Sequence, residues 1–461
     1  MPHEPLVPLA PRYAPAPRFD RSALELAGEI RDGTLRSAEL VDHCLARIAA
    51  VDGTLKAFVE VLEGTARREA EEADRERARG KLRGPFHGVP TAIKDQHLIR
   101  FTRTQFGSRA TLGGIWSPID DQIVRRVRAG GFVLLGKTTM PDYGLLPITE
   151  PDLHAPTRNP WNPAYTAGGS SGGAGAALAA GLVPIAPGSD GAGSIRIPSA
   201  LNGLIGLKPT RGVVPDDTSM WDRDGLVTVG PMGRTVADVA TLLDVLAPAG
   251  RGQYAARAQV DPPKLRIGVV REAPFGELDR RLVAAVDEVA AQLTDAGHHV
   301  ITRPCPAGTV DDFLPIYQRL FARLPIVAPH RLTATVRWMR DQGLANAEAD
   351  VNRLLGKFLA AGADAMAGLD VMLTPTLATL TPKVGAFQGL APREQFHAVS
   401  PLGAFTALAN LTGQPAISVP WGTVHGLPIG VQLMGHAHAD ATLLGLARHL
   451  LRADHATRLA S

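Results

Sequence analysis

The sequence contains few cysteines: only Cys44 and Cys305 occur in 461 residues. A disulfide framework is therefore not expected, which fits a reducing compartment and predicts a cytoplasmic location. Cys44 falls on the apolar face of a predicted helix, and Cys305 stands between two prolines in a predicted loop. Neither is near a group of histidines, so we predict structural roles for both.

The chain also lacks an excess of charge of either sign. The 48 basic and 45 acidic residues give a net charge of +3, and no basic cluster stands out. This balance argues against a nucleic acid or an anionic membrane as a partner. No run approaches the ~20 apolar residues that a membrane span needs. We expect a soluble protein, and the sequence leaves open whether it is a monomer or a homodimer.

Motifs for metals and cofactors are missing as well. The sequence has no HExxH or CxxC pattern, and its paired histidines, such as His298-His299, have no further ligand-type residues at metal-site spacing. We therefore predict no metal and no cofactor.

The N-terminus differs in composition from the rest of the chain. Six prolines lie within residues 1–17, so we predict an extended Pro-rich arm over 1–20. Predicted strands and helices alternate from residue 21 onward, which favours an α/β fold with a mixed central β-sheet covered by helices on both faces. We predict a single domain over 21–461, with a helical segment around 301–368.

Two islands of small residues dominate the middle of the chain. They are Gly168–Gly173 (GGSSGG) and Gly188–Arg196 (GSDGAGSIR), and the Ala-rich run Ala174–Leu182 between them predicts a buried helix. Glycines allow backbone N–H groups to turn toward a ligand, and the serines supply hydroxyl nucleophiles. Islands of this kind alone are most often loops or linkers.

A serine hydroxyl needs a base, and neither island contains a histidine. Lys94 is the best candidate, because the apolar residues before it predict a strand that carries its ammonium group inward. Burial lowers the pKa of a lysine, so that the neutral amine can accept a proton.

These motifs together resemble the amidase signature family. The resemblance rests on GVPTAIKD around Lys94, on GGSSGG, on the Ser194 island followed by IRIPS, and on GLKPT. It covers nearly the whole chain, from about Ser22 to Leu451. It implies a Ser–cis-Ser–Lys triad with Ser194 as nucleophile, Ser170 as bridging serine and Lys94 as base.

The resemblance implies further site residues. Backbone N–H groups of Gly191, Ala192, Gly193 and Ser194 would form an oxyanion hole, with Ala192 standing where glycine is frequent in the family. Support for the two loops would come from Gly169, Ser171, Asp190 and Arg196. The segment around 301–368 would shape the substrate entrance. For the pocket walls we predict Tyr143, Gly144, Ile148, Trp221 and Trp338.

From these residues we expect a hydrolase that cleaves C–N bonds of neutral amides and anilides through an acyl-enzyme, and that also accepts carbamates (urethanes) and esters. Its partner would be a small neutral substrate. One alternative is the glutaminase subunit of a tRNA-dependent amidotransferase. Those subunits carry an acidic residue two positions before the FT of FTALANLTG, where this chain has Gly403.

Two other readings of the first island have less support. Gly168-x-Ser170-x-Gly172 fits the nucleophile elbow of an α/β-hydrolase esterase, but a loop rich in Pro and Asn precedes it instead of a strand. The island could also cradle a phosphate, but the Lys-Ser/Thr ending of a P-loop is missing.

Overall fold

The computed structural model describes residues 20–215, 217, 221–248 and 253–460. The predicted Pro-rich arm lies outside the described residues, except for Asp20.

Strands are distributed along the whole described chain. They are β1 (Phe58–Val61), β2 (Pro90–Lys94), β3 (Arg103–Thr104), β4 (Ile115–Trp116), β5 (Val133–Thr138), β6 (Ile185–Asp190), β7 (Ile205–Lys208), β8 (Thr228–Gly233), β9 (Arg266–Val269), β10 (His299–Thr302), β11 (Val371–Pro375), β12 (Ala416–Val424) and β13 (Leu427–Gly435).

Helices alternate with these strands. They are α1 (Ala23–Asp32), α2 (Ser37–Leu55), α3 (Glu63–Ala78), α4 (Gln122–Ala129), α5 (Gly172–Ala179), α6 (Arg196–Asn202), α7 (Val236–Leu246), α8 (Gln253–Arg257), α9 (Arg280–Asp295), α10 (Val310–Ala322), α11 (Ala334–Ala345), α12 (Glu348–Met366), α13 (Pro392–Val399), α14 (Ala407–Thr412) and α15 (Asp440–Ala460).

The largest sheet has eight strands in the order β10-β9-β11-β13-β12-β7-β8-β6. Its pairs β10–β9 and β9–β11 are parallel and the remaining pairs are antiparallel, so the sheet is mixed. A second sheet, β1-β5-β2, lies beside its β6 edge, where the Thr91 hydroxyl donates to the Ile185 carbonyl at 2.7 Å.

Helices flank the large sheet on both faces. Every residue of β11, β12 and β13 is buried, although alternate side chains of a strand point to opposite faces. Such burial requires cover on each side, and it confirms the predicted α/β class with a mixed, helix-covered sheet. The apolar core extends from Ala23 to Leu450. The single domain over 21–461 stays a prediction.

The two islands lie at the ends of regular elements, as their composition predicts. Helix α5 is buried at every residue and follows the first island directly. It ends before the predicted Leu182, because the chain turns at Gly181, whose φ is +63°. Strand β2 ends at Lys94 and β6 ends at Asp190, so both sheets deliver chain to one place.

The segment around 301–368 is helical, as predicted, and consists mainly of α10, α11 and α12. Apolar side chains of these helices, including Tyr317, Phe321 and Phe358, form a second buried cluster with Leu145 and Leu226. This cluster packs over the side of the fold that carries the second island.

Candidate active site

The ammonium group of Lys94 lies in the interior of the protein, as the sequence predicts. Only 1% of the residue is exposed. Its Nζ donates to the hydroxyls of Ser170 and Ser189, each at 2.8 Å. Burial lowers the pKa of Lys94 to about 7, although the carboxylate of Asp190 acts in the opposite direction. A large share of the lysine is therefore a neutral amine near neutral pH.

The first island is packed too closely for larger residues. The peptide bond between Gly169 and Ser170 is cis. A Cβ at Gly169 would lie 2.8 Å from the backbone of Ile148, and one at Gly173 would lie 2.4 Å from the backbone nitrogen of Thr139. Glycine is the residue that this close approach allows.

Ser171 joins the first island to the second. Its backbone N–H donates to the carbonyl of Ser194 at 3.2 Å. Its hydroxyl donates to the Ser189 carbonyl at 3.2 Å and accepts from the Ser189 N–H at 3.3 Å. These contacts agree with the predicted supporting role of Ser171, and they hold Ser170 and Ser194 on neighbouring loops.

A buried ion pair braces the second island. The carboxylate of Asp190 accepts from the Arg196 guanidinium at 2.9 and 3.0 Å, and both side chains are fully buried. Burial alone would raise the pKa of Asp190, but Arg196 and the further cation Lys208 hold it at about 2. Asp190 is thus an anion at neutral pH, in agreement with the support predicted for Asp190 and Arg196.

Asp190 also fixes the backbone before Ser194. Its carboxylate accepts from the N–H groups of Gly193 at 2.6 Å and Ile195 at 3.2 Å. This corrects one predicted oxyanion-hole donor, because the Gly193 N–H is already bonded. For the N–H groups of Gly191, Ala192 and Ser194, no acceptor is found within the described part of the chain.

Residues far along the sequence complete the brace, and their roles were not predicted. Thr406 Oγ1 donates to the Ala192 carbonyl at 2.5 Å, and Asn410 Nδ2 donates to the Asp190 carbonyl at 2.8 Å. Gln432 Oε1 accepts from Arg196 at 2.7 Å. The signal that could have found them is the family-like C-terminal motif, whose polar residues stand in otherwise apolar runs.

An apolar cavity opens beside Ser194. None of the described residues that line it carries a formal charge. Its wall consists mainly of aromatic and aliphatic side chains from α10, α12, α13, α14 and the loop before α9: Phe275, Val310, Phe313, Tyr317, Phe358, Phe396, Leu408 and Leu411. Helices α10 and α12 belong to the segment expected to shape the substrate entrance.

The residues predicted for the pocket wall do not line this cavity. Tyr143 stacks on Phe106 with ring centroids 5.5 Å apart, and Ile148 packs beneath the first island. Trp338 packs against the second apolar cluster, and Trp221 is half-buried elsewhere. Of the five, Gly144 lies beside the site, since a Cβ there would be 3.2 Å from Ser170 Oγ.

The two cysteines have different surroundings. Cys44 is buried in the core on α2, where burial raises its thiol pKa to about 12, and this agrees with the structural role predicted for it. Cys305 lies on the cavity wall, a position that the sequence did not indicate. Both are free thiols.

Potential metal ligands and membrane-spanning helices were both considered at the sequence level. Over residues 20–215, 217, 221–248 and 253–460, no three His, Cys, Asp or Glu side chains are grouped as metal ligands. In the same ranges, no helix has the length and apolar character needed to cross a membrane.

The family model described as Amidase matches residues 39–444, and the chain therefore belongs to the amidase family. With this family membership, the protein is a hydrolase that acts on amide C–N bonds.

Three kinds of protein illustrate the range of its relatives. The chain is 34% identical to the 6-aminohexanoate-cyclic-dimer hydrolase of Paenarthrobacter ureafaciens over 91% of this chain and 92% of that protein. A solved 6-aminohexanoate cyclic dimer hydrolase superposes with a TM-score of 0.85 at 32% identity, over 94% and 97% of the two chains.

A bacterial aryl acylamidase of the amidase signature family superposes with a TM-score of 0.86 at 25% identity, over 94% and 96% of the two chains. A glutamyl-tRNA(Gln) amidotransferase subunit from a Synechococcus species is 34% identical over 92% of this chain and 95% of that protein.

Proposed function

We propose that the chain hydrolyses neutral amides and anilides, and also carbamates and esters, with Ser194 as nucleophile, Ser170 as bridging serine and Lys94 as base. The observation that carries the proposal is the 2.8 Å hydrogen bond between Lys94 Nζ and Ser170 Oγ in a site that burial keeps partly unprotonated. A neutral amine beside a hydroxyl is the arrangement that general-base catalysis needs.

In the acylation step, neutral Lys94 takes the proton of Ser170, which takes the proton of Ser194. Ser194 Oγ then attacks the carbonyl carbon and forms a tetrahedral intermediate, whose oxyanion is stabilised by the N–H groups of Gly191, Ala192 and Ser194. The C–N bond breaks as the proton returns from Lys94 through Ser170 to the leaving nitrogen.

In the deacylation step, water replaces the amine. It gives a proton through Ser170 to Lys94, its oxygen attacks the ester carbonyl, and the bond to Ser194 Oγ breaks as Ser194 recovers a proton. A carbamate or an ester offers the same trigonal carbonyl, so the same steps apply to it.

The cavity supports a neutral, apolar substrate. Burial of apolar surface is worth about 25 cal/mol per Å², whereas an unpaired charge in such surroundings is costly. Free glutamine carries two charges at neutral pH, and Gly403 on the cavity wall offers no carboxylate to its amino group. This favours neutral amides over glutamine, although a glutaminase-type subunit is among the relatives.

The test compares kcat/KM for a p-nitroanilide of an apolar acid, an aryl carbamate and free glutamine, with Ser194→Ala as the control. We expect the anilide and the carbamate to be hydrolysed in preference to glutamine, and Ser194→Ala to be inactive on all three. Glutamine preferred over both neutral compounds would overturn the proposed substrate class.

A further inference from the structure

Lys94 has a second hydroxyl partner, and that hydroxyl has a partner of its own. Ser189 Oγ accepts from Lys94 Nζ at 2.8 Å and donates to Gln96 Oε1 at 2.8 Å. Ser189 is 4% exposed, while Gln96 is half-buried two residues after Lys94. A chain of polar groups therefore runs away from the lysine on the side opposite to its use as a base.

The direction of these bonds follows from counting protons. A serine hydroxyl has one proton, and an amide oxygen can only accept. With its proton on Gln96, Ser189 can only accept from Lys94. One N–H of the neutral amine is thereby used, and the lone pair remains available to Ser170.

The reverse direction would disable the base. If the Ser189 hydroxyl turned its proton toward Lys94, it would occupy the single lone pair of the amine. Ser170 would then face only N–H groups and could not pass on its proton. A group that holds the Ser189 proton excludes this arrangement.

The orientation of the Gln96 amide is in turn set by His97 and Asp121. Gln96 Nε2 faces His97 Nε2 at 3.5 Å, and His97 Nδ1 lies 2.8 Å from Asp121 Oδ2. Both His97 and Asp121 are buried. A carboxylate at Nδ1 requires the proton there, which leaves Nε2 of the neutral ring as an acceptor for the amide nitrogen.

Asp121 is held as an anion. Burial raises its pKa, but His97 and the backbone N–H groups of Val124 and Leu98, at 2.9 and 3.0 Å, together lower it below its ordinary value. The direction of the whole chain, from Asp121 through His97 and Gln96, is thus fixed at its far end.

We propose that Gln96 is a positioning residue for the base: by holding the proton of Ser189, it keeps the lone pair of Lys94 directed to Ser170. This rests on the proposed function, in which Lys94 is the base. Gln96 touches no substrate in this mechanism and acts only through Ser189.

The test is a double-mutant cycle with Gln96→Met and Ser189→Ala, measured as kcat and KM on an anilide from pH 5 to 10. Gln96→Met should lower the alkaline plateau of kcat about 10-fold, the size of one lost hydrogen bond of ~1.4 kcal/mol, with KM nearly constant. In the Ser189→Ala background, Gln96→Met should have no further effect, because the hydroxyl it controls is gone.

Gln96→Glu supplies a readout that a structural role would not produce. A carboxylate still accepts the Ser189 proton, so this variant should retain more kcat than Gln96→Met. Its charge adds to that of Asp190 near Lys94 and should move the acid limb of the profile to higher pH, by about 1 unit. The matched surface control is Gln253→Met on α8, where the side chain is exposed.

Three outcomes would overturn the positioning role. One is a Gln96→Met variant with the kcat of Gln253→Met; another is an undiminished Gln96→Met effect in the Ser189→Ala background. The third is an equal loss in Gln96→Met and Gln96→Glu with an unmoved acid limb. Ser194→Ala is assayed in parallel. If it still turned over the anilide, the proposed function itself would be wrong, whereas its inactivity beside a normal Gln96→Met would remove only the positioning role.

Discussion

Replacement of Lys94 by methionine should abolish amide hydrolysis and at the same time stabilise the fold in a pH-dependent way. The lysine pKa falls from 10.5 to about 7 because the ammonium group is buried. Each pKa unit corresponds to 1.36 kcal/mol, so burial of this lysine costs roughly 4 kcal/mol of stability at pH 7. Methionine fills a similar volume without that cost.

The pH dependence has a definite sign. The folded-state pKa lies below the unfolded value, so between about pH 7 and 10.5 the unfolded chain binds more protons than the folded one. The free energy of unfolding of the wild type therefore rises with pH in that window, relative to Lys94→Met. The advantage of the variant should shrink by about 2 kcal/mol between pH 7 and pH 9.

Urea unfolding of both proteins at pH 7, 8 and 9 measures this difference. The lost hydrogen bonds to Ser170 and Ser189 reduce the advantage by about 1 kcal/mol each but do not vary with pH. The other buried lysine with a pKa of about 7, Lys208, is present in both proteins and cancels. A stability difference that stays constant over this range would refute a buried, largely neutral Lys94.

Three further substitutions test the loop that carries Ser194. Asp190→Asn should lower the unfolding free energy by about 3–5 kcal/mol, because it leaves Arg196 buried without its anion, and a thermal melt would detect this. Gly193→Ala should be destabilised and inactive, since φ is +132° and the added Cβ would lie 2.2 Å from Thr406 Oγ1; a wild-type melting temperature and kcat would contradict that packing. Gly403→Asp has room for its Cβ, whose nearest contact is at 3.7 Å, and should lower kcat/KM for a neutral anilide at least 10-fold while favouring amides that carry an amino group; an unchanged ratio of the two values would show that position 403 does not select the substrate.

The sequence predicted the parts of the site that local pattern encodes. Lys94 follows an apolar strand and is buried, and Ser170 and Ser194 stand in islands whose glycines are required by close backbone contacts. The α/β class followed from the alternation of strands and helices. These features depend on neighbouring residues, so a linear pattern contains them.

The cavity wall could not be predicted in the same way. Its side chains come from segments as distant as Phe275 and Phe396, and which of them meet depends on how the helices pack. Trp338 looks like a pocket residue by size, but it packs against the apolar cluster instead. Likewise, only the three-dimensional path of the loop shows that the Gly193 N–H is taken by Asp190.

The most direct test of the proposed mechanism is the site of covalent labelling by a serine-directed phosphonate, mapped by mass spectrometry of the digested protein. We predict one adduct per chain, on Ser194, whose rate of formation rises as pH passes through about 7, the pKa of Lys94. Ser194→Ala should remain unlabelled, and Lys94→Met should be labelled far more slowly than the wild type. Stoichiometric labelling of Ser194→Ala, or an adduct on Ser170 in the wild type, would contradict the assignment of Ser194 as the nucleophile.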